Sequence, residues 1–118
     1  MVTVEVVLSI LIIHWVADFV LQSDWMAINK SKNNLALLAH VFTYCNTWGI
    51  VGLFFFGFIP VALFYVYNFI LHFITDYCTS RLNAYLWEKE MRHWFFVAIG
   101  FDQVIHYTCL FLTYAWLL

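Results

Sequence analysis

His14 and Asp18, His72 and Asp76, and Asp102 and His106 form three imidazole–carboxylate pairs. Each pair is spaced four residues apart within a stretch that is otherwise apolar. On a helix that spacing is about one turn and about 6 Å of rise, so each pair projects from a single face. Asn68 extends the second pair by a turn and Gln22 extends the first, while His40 stands alone in a further apolar stretch. Neutral imidazole and carboxylate together suit zinc, manganese or iron. The candidate ligands are therefore His14, Asp18, His40, His72, Asp76, Asp102 and His106. Four histidines and three aspartates exceed the needs of one tetrahedral ion. They suit two ions, or one ion with orienting partners and a general base, for which Asp18 and Asp102 are the candidates. Asn68 and Gln22 read as hydrogen-bonding supports.

The solvent that surrounds these pairs follows from composition. Of 118 residues, 65% are apolar, 22% aromatic and only 10% charged. A soluble domain is about 25% charged and 45–50% apolar, and a core of this size has no room for so many Phe, Tyr and Trp side chains. The chain therefore reads as an integral membrane protein. Its net charge of −2, with five basic residues, leaves no basic patch for nucleic acid. Cys45, Cys78 and Cys109 lack CxxC spacing and read as reduced packing residues. Cys109, one turn from His106, is an alternative soft ligand. No basic n-region precedes the first apolar run, so no cleavable signal is expected.

The elements that must position the pairs are four apolar segments in a single domain, residues 1–118. The spans are expected at about 3–22, 35–58, 60–80 and 94–118, each long enough to cross a bilayer. Ser23-Asp24 is a good helix start, and the connection to Asn34 reads either as a short interfacial helix or as a surface loop. Gly49, Gly52 and Gly57 would allow close helix approach. Pro60 suits the first turn of the third helix, which is expected to continue through Arg92 with Glu88 and Arg92 as an i,i+4 pair. The expected fold is all-α, an antiparallel four-helix transmembrane bundle. Lys30, Lys32, Arg81, Lys89 and Arg92 all fall in the first–second and third–fourth connections. The positive-inside rule makes that side cytoplasmic, giving an N-out, C-out topology, with Trp25, Trp87 and Trp94 at the inner interface.

Counting from the cytoplasmic ends, the seven ionisable residues lie roughly 6–18 Å deep, in one slab of the bilayer. An aspartate near the centre of a span costs about 2.5–3.5 kcal/mol, against a total stability of about 5–15 kcal/mol. The spans contain no Lys or Arg, so compensation must come from protonated histidines or from a metal. His93, beside Arg92 at the interface, reads as solvated.

The stretch from His14 to Gln22 (HWVADFVLQ), Asp24-Trp-Met, Lys32-Asn-Asn, His40, His72-Phe-Ile-Thr-Asp76 and Asp102-Gln-x-x-His106 together resemble a small membrane-protein family of bacteria and phages, domain of unknown function 3307. The resemblance covers nearly the whole chain, and the family has no assigned activity. A more distant similarity is to inner-membrane proteins described as metal-dependent hydrolases, whose adjacent His-x-His and Thr-His elements are missing here.

The expected function is that of a metal-dependent hydrolase of the bacterial inner membrane. It would hold one or two divalent transition-metal ions, zinc foremost, near the cytoplasmic leaflet and act on a lipid or amphiphile. Two other classes fit the same residues. One is a proton or metal-ion conduit. The other is a structural or interaction protein in which the polar network fixes helix pairing. The expected partners are the lipid bilayer and such a substrate, no nucleic acid, with a homo-oligomer left open.

Overall fold

Local capping sets where each helix begins. Thr3 accepts a hydrogen bond from the Val6 N–H and starts α1, Val4–Trp15. The chain continues without a break into a π-helical turn, Val16–Val20, where the Leu21 N–H reaches back five residues to the Val16 carbonyl at 2.9 Å. Ser23 accepts from the Met26 N–H and opens α2, Asp24–Asn29. The connection therefore does hold a short helix, starting where the Ser-Asp pair indicates. Asn33 accepts from the Leu35 N–H and opens α3, Asn34–Leu53. Helix α4 is Phe58–Glu88 and α5 is Arg92–Leu117. The structure, a computed structural model, describes residues 2–118, with no strand among them.

Several boundaries differ from expectation for physical reasons. The second apolar segment leaves helical geometry after Leu53, five residues early. The Phe55 and Phe56 N–H groups both turn back onto the Gly52 carbonyl, and Gly57 caps α4 in extended conformation. Gly57 is thus a cap and not a packing residue. Gly52 does allow close approach: a Cβ there would lie 3.2 Å from Val61 Cγ2 of α4. Pro60 falls in the first turn of α4, where its missing N–H costs nothing.

Helix α4 stops at Glu88 and does not run on through Arg92. Glu90 adopts φ 59, the Glu90 N–H bonds the Trp87 carbonyl at 3.0 Å, and the Met91 N–H bonds the Leu86 carbonyl at 2.9 Å. These paired reverse bonds around a left-handed residue form a Schellman cap. Arg92 consequently belongs to α5. Its guanidinium lies 3.7 Å from the Trp87 ring centroid and donates to the Trp87 carbonyl, replacing the expected pair with Glu88.

Three helices, α3, α4 and α5, are long and apolar enough to cross a membrane. Four were expected. The α-helical part of the first segment has 12 residues and covers only about 18 Å of a hydrocarbon core about 30 Å thick. The solvent preference of the molecule is inverted. Phe54, Phe55 and Trp116 are 81%, 76% and 68% exposed, whereas His14 and His40 are fully buried. Helix α4 presents the buried stripe Phe64, Asn68, His72, Asp76 and Ser80, and α5 presents Asp102, His106, Leu110 and Thr113. Helix α4 packs along both α3 and α5, and the π-turn lies against α3.

Candidate metal centre

The π-turn, α3, α4 and α5 each deliver part of one buried cluster. Asp18 projects from the π-turn, a distortion that recurs at functional sites because it re-aims side chains within a helix. His40 comes from the buried face of α3, His72 and Asp76 from successive turns of α4, and Asp102 and His106 from successive turns of α5.

Four ligand atoms converge. Asp18 Oδ1 lies 3.0 Å from His40 Nε2 and 3.5 Å from His72 Nε2. Asp76 Oδ2 lies 3.2 Å from His40 Nε2 and 3.3 Å from His72 Nε2. The two Nε2 atoms are 3.2 Å apart. With metal–ligand bonds of about 2.0–2.1 Å, the edge of a coordination tetrahedron is about 3.3 Å, and these five separations are close to that edge. Asp18 Oδ1 is buried without a hydrogen-bond partner despite its 3.0 Å contact with His40, which is not aligned for a hydrogen bond. A cation between the four atoms would satisfy that oxygen. The Nδ1 atoms of His40 and His72 have no protein partner, so the outward hydrogen bond that usually orients a ligand histidine is not supplied by this chain. The His72 ring is held instead by aromatic contacts. His72 lies 3.9 Å from the Tyr44 centroid and 4.2 Å from that of His106.

Asp76 joins this group to a second one. Its Oδ1 accepts from His106 Nε2 at 3.0 Å, and Asp102 Oδ2 lies 3.2 Å from the same nitrogen. Asp76, Asp102 and His106 form a further convergent set. Thr79 Oγ1 donates to Asp102 Oδ1 at 2.6 Å.

His14 is the one candidate ligand that stands outside both convergent sets, and its hydrogen bonds define its tautomer. Gln103 Nε2 donates to Asp102 Oδ2 at 3.1 Å, which turns Gln103 Oε1 towards His14 Nε2, 2.7 Å away. His14 Nε2 therefore carries the proton, and Nδ1 accepts from the Tyr44 hydroxyl at 3.1 Å. Asp18 Oδ2 is 3.5 Å from His14 Nε2.

Lys30 overturns the expectation that the carboxylates have no basic partner. It belongs to the connection after α2, yet its Nζ reaches Asp76 Oδ2 at 3.1 Å, with the side chain 22% exposed. Burial pushes its pKa down, but the Asp76 and Asp18 carboxylates more than offset this, and the ammonium titrates above the ordinary lysine value. A carboxylate oxygen has two lone pairs, so Asp76 Oδ2 can accept from Lys30 and still face a metal.

Sequence reasoning also missed Tyr44, Gln103 and Thr79, single polar residues with no paired partner at helical spacing. Asn68 does not support the cluster. Its amide donates to the Phe64 carbonyl and to Thr113 Oγ1 at 2.9 Å, one turn away. Gln22 Oε1 is buried and unpartnered. Cys109 is half-buried and lies in neither convergent set, and His93 is exposed.

Fold and site together define an all-α protein with helices fit to cross a membrane and a buried His/Asp cluster that could hold a metal ion. The chain belongs to the DUF3307 family, proteins of unknown function, whose model matches residues 6–118. No curated protein and no solved structure matches the chain.

Proposed function

We propose that this is an integral membrane protein whose cluster holds a divalent transition metal, zinc foremost, and acts as a hydrolase on a lipid or amphiphile. The observation that carries the reading is the close spacing of Asp18 Oδ1, His40 Nε2, His72 Nε2 and Asp76 Oδ2. Charge supports it. With the histidines neutral, the three carboxylates of Asp18, Asp76 and Asp102 and the Lys30 ammonium would leave a net of two negative charges, which one divalent ion would neutralise. Asp76, Asp102 and His106 would serve a second ion or the proton transfers.

A bound ion of this kind supplies Lewis acidity and makes water more acidic. Asp102 is the better placed base, because Asp18 Oδ1 belongs to the four-atom set. The Asp102 side chain is 12% exposed, and Thr79 and Gln103 hold its two oxygens in a fixed orientation. His14, fixed by Tyr44 and Gln103, positions that amide and does not bind metal. Every group named belongs to one chain, so the reading requires no second copy.

In the membrane, α1 and its π-turn complete a fourth crossing, with both termini outside and the basic connections in the cytoplasm of a bacterial cell. The conduit alternative is opposed by packing. Beyond the Asn68–Thr113 pair, Ile10, Trp48 and Phe64 line a separate apolar cavity of about 260 Å³ to which no residue of the cluster contributes. Metal quantification on purified protein, beside a His72→Ala variant, tests the reading. About one zinc per chain, lost in the variant, supports it. Metal-free protein that chelators do not affect leaves the structural-network reading.

A further inference from the structure

A cleft of about 410 Å³ reaches the cluster at the end of the bundle that carries the basic connections. Asp18, Asp102, Gln103 and Lys30 line both the cleft and the cluster. Its volume lies within the range of small-molecule sites.

Three buried polar atoms on its walls have no hydrogen-bond partner: Gln22 Oε1, Ser80 Oγ and Asn83 Oδ1. Ser80 is 8% exposed. Buried polar atoms are rarely left unpaired, because each has given up its water without a replacement. These three come from two elements, Gln22 from the connection before α2 and Ser80 and Asn83 from near the end of α4, yet they share one cleft. Two are amide oxygens, which only accept, and the third is a hydroxyl, which accepts or donates, so a ligand that satisfies them must supply hydrogen-bond donors for at least the two amides. Ligand hydroxyls do so.

Two further properties restrict the ligand. Lys30 and Lys32 both line the cleft, beside Glu88, Asp18 and Asp102, and their ammonium groups can donate charge-assisted hydrogen bonds to a phosphate where a metal offsets those carboxylates. The remaining walls include Ile28, Trp87, Phe95 and Ile99, and Ile28 and Trp87 are 61% and 50% exposed. Apolar walls continuous with an apolar exterior suit an acyl chain entering from the bilayer.

We propose that the cleft binds a phosphate ester whose alcohol carries free hydroxyls, with the phosphate towards Lys30, Lys32 and the metal cluster and the hydroxyls on Gln22, Ser80 and Asn83. Its source is a membrane lipid. The proposal deepens the hydrolase reading and rests on it, for the metal that offsets the carboxylates as well as for the reaction. Cleavage at that phosphorus would join a water oxygen to phosphorus and break one P–O ester bond. Asp102 takes the proton from the water and returns it to the departing alkoxide, and no oxidant or reductant is required.

Native mass spectrometry of the full chain in detergent reads bound zinc and bound lipid in one spectrum. The probes are dioctanoyl phosphatidylglycerol, dioctanoyl phosphatidylethanol, which lacks the head-group hydroxyls, dioctanoylglycerol, which lacks the phosphate, and glycerol phosphate, which lacks the chains. Phosphatidylglycerol should be retained at least tenfold better than either other lipid. Ser80→Val, Asn83→Leu and the exposed Lys32→Gln should each reduce that retention about tenfold without loss of zinc. Glycerol phosphate binding as tightly as the lipid supports the cleft and assigns the soluble ester as its source. Equal retention of the three lipids, or retention unchanged in all three variants, overturns the proposal. Zinc bound without lipid preference overturns the cleft alone. Lipid preference in protein that holds no zinc supports the cleft and overturns the metal centre.

Discussion

Lys30 Nζ lies 3.1 Å from Asp76 Oδ2 across 46 residues of sequence, and it is the one lysine that reaches the cluster among the described residues. A hydrogen bond to a charged group contributes roughly 1.5–3 kcal/mol, and Asp76 keeps the one from His106 when Lys30 is lost. Lys30→Gln should therefore lower the stability of metal-free protein by about that amount. Zinc should restore much of the loss, because an ion at the same oxygen replaces the missing charge. Thermal unfolding with and without zinc measures both effects. A variant as stable as the parent without metal would mean that the ammonium contributes nothing at Asp76.

The four-atom set should behave as a unit, since removing one ligand breaks the geometry for the others. Alanine at His40 or His72 and asparagine at Asp76 should each reduce bound zinc at least tenfold. Asp76→Asn keeps the side chain's size while removing the charge. Asn68→Ala, one turn away on the same stripe, should keep its zinc, as should His93→Ala. Metal analysis of the five variants decides, and zinc lost in His93→Ala but kept in Asp76→Asn would put the ion elsewhere.

The distribution of Lys and Arg predicts the topology. A reporter fused after Leu118 should read non-cytoplasmic, and so should one fused before α1, because the basic connections stay inside. Opposite readings at the two ends would reduce the crossings to α3, α4 and α5.

Glu90 occupies a left-handed conformation at φ 59, which costs a residue with a Cβ about 1–2 kcal/mol. Glu90→Gly keeps the Schellman cap and removes that penalty, so it should stabilise the protein by about 1 kcal/mol. Equilibrium unfolding in mixed micelles measures it. A destabilised variant would show that the Glu90 side chain contributes more than its backbone costs.

Much of the cluster is legible in the sequence. His14 with Asp18, His72 with Asp76, and Asp102 with His106 are visible because helical periodicity puts residues four apart on one face, and an apolar background makes them conspicuous. Periodicity acts only within an element. It could not show that Gln103 would bond one side of the His14 ring, or that Tyr44 would hold the other. Lys30 was legible only as a charge in a connection. A long flexible stem lets such a side chain place its head well away from its own backbone. The π-turn was hidden as well, since Val16–Val20 contains no Pro or Gly to mark a departure from α geometry. The end of α4 was misplaced because glutamate seldom takes the left-handed cap position, and the Glu88–Arg92 spacing suggested continuation instead.

All six groups of the two convergent sets, from Asp18 to His106, are drawn from a single polypeptide. That has a genetic meaning. Two defective alleles, one lacking His40 and the other His106, would each encode a protein broken within its own helices, and neither could lend the other the missing group. Co-expressed in one cell they should fail to complement, even if the products meet in the membrane. A dose of the intact gene should restore function in proportion to the number of intact chains.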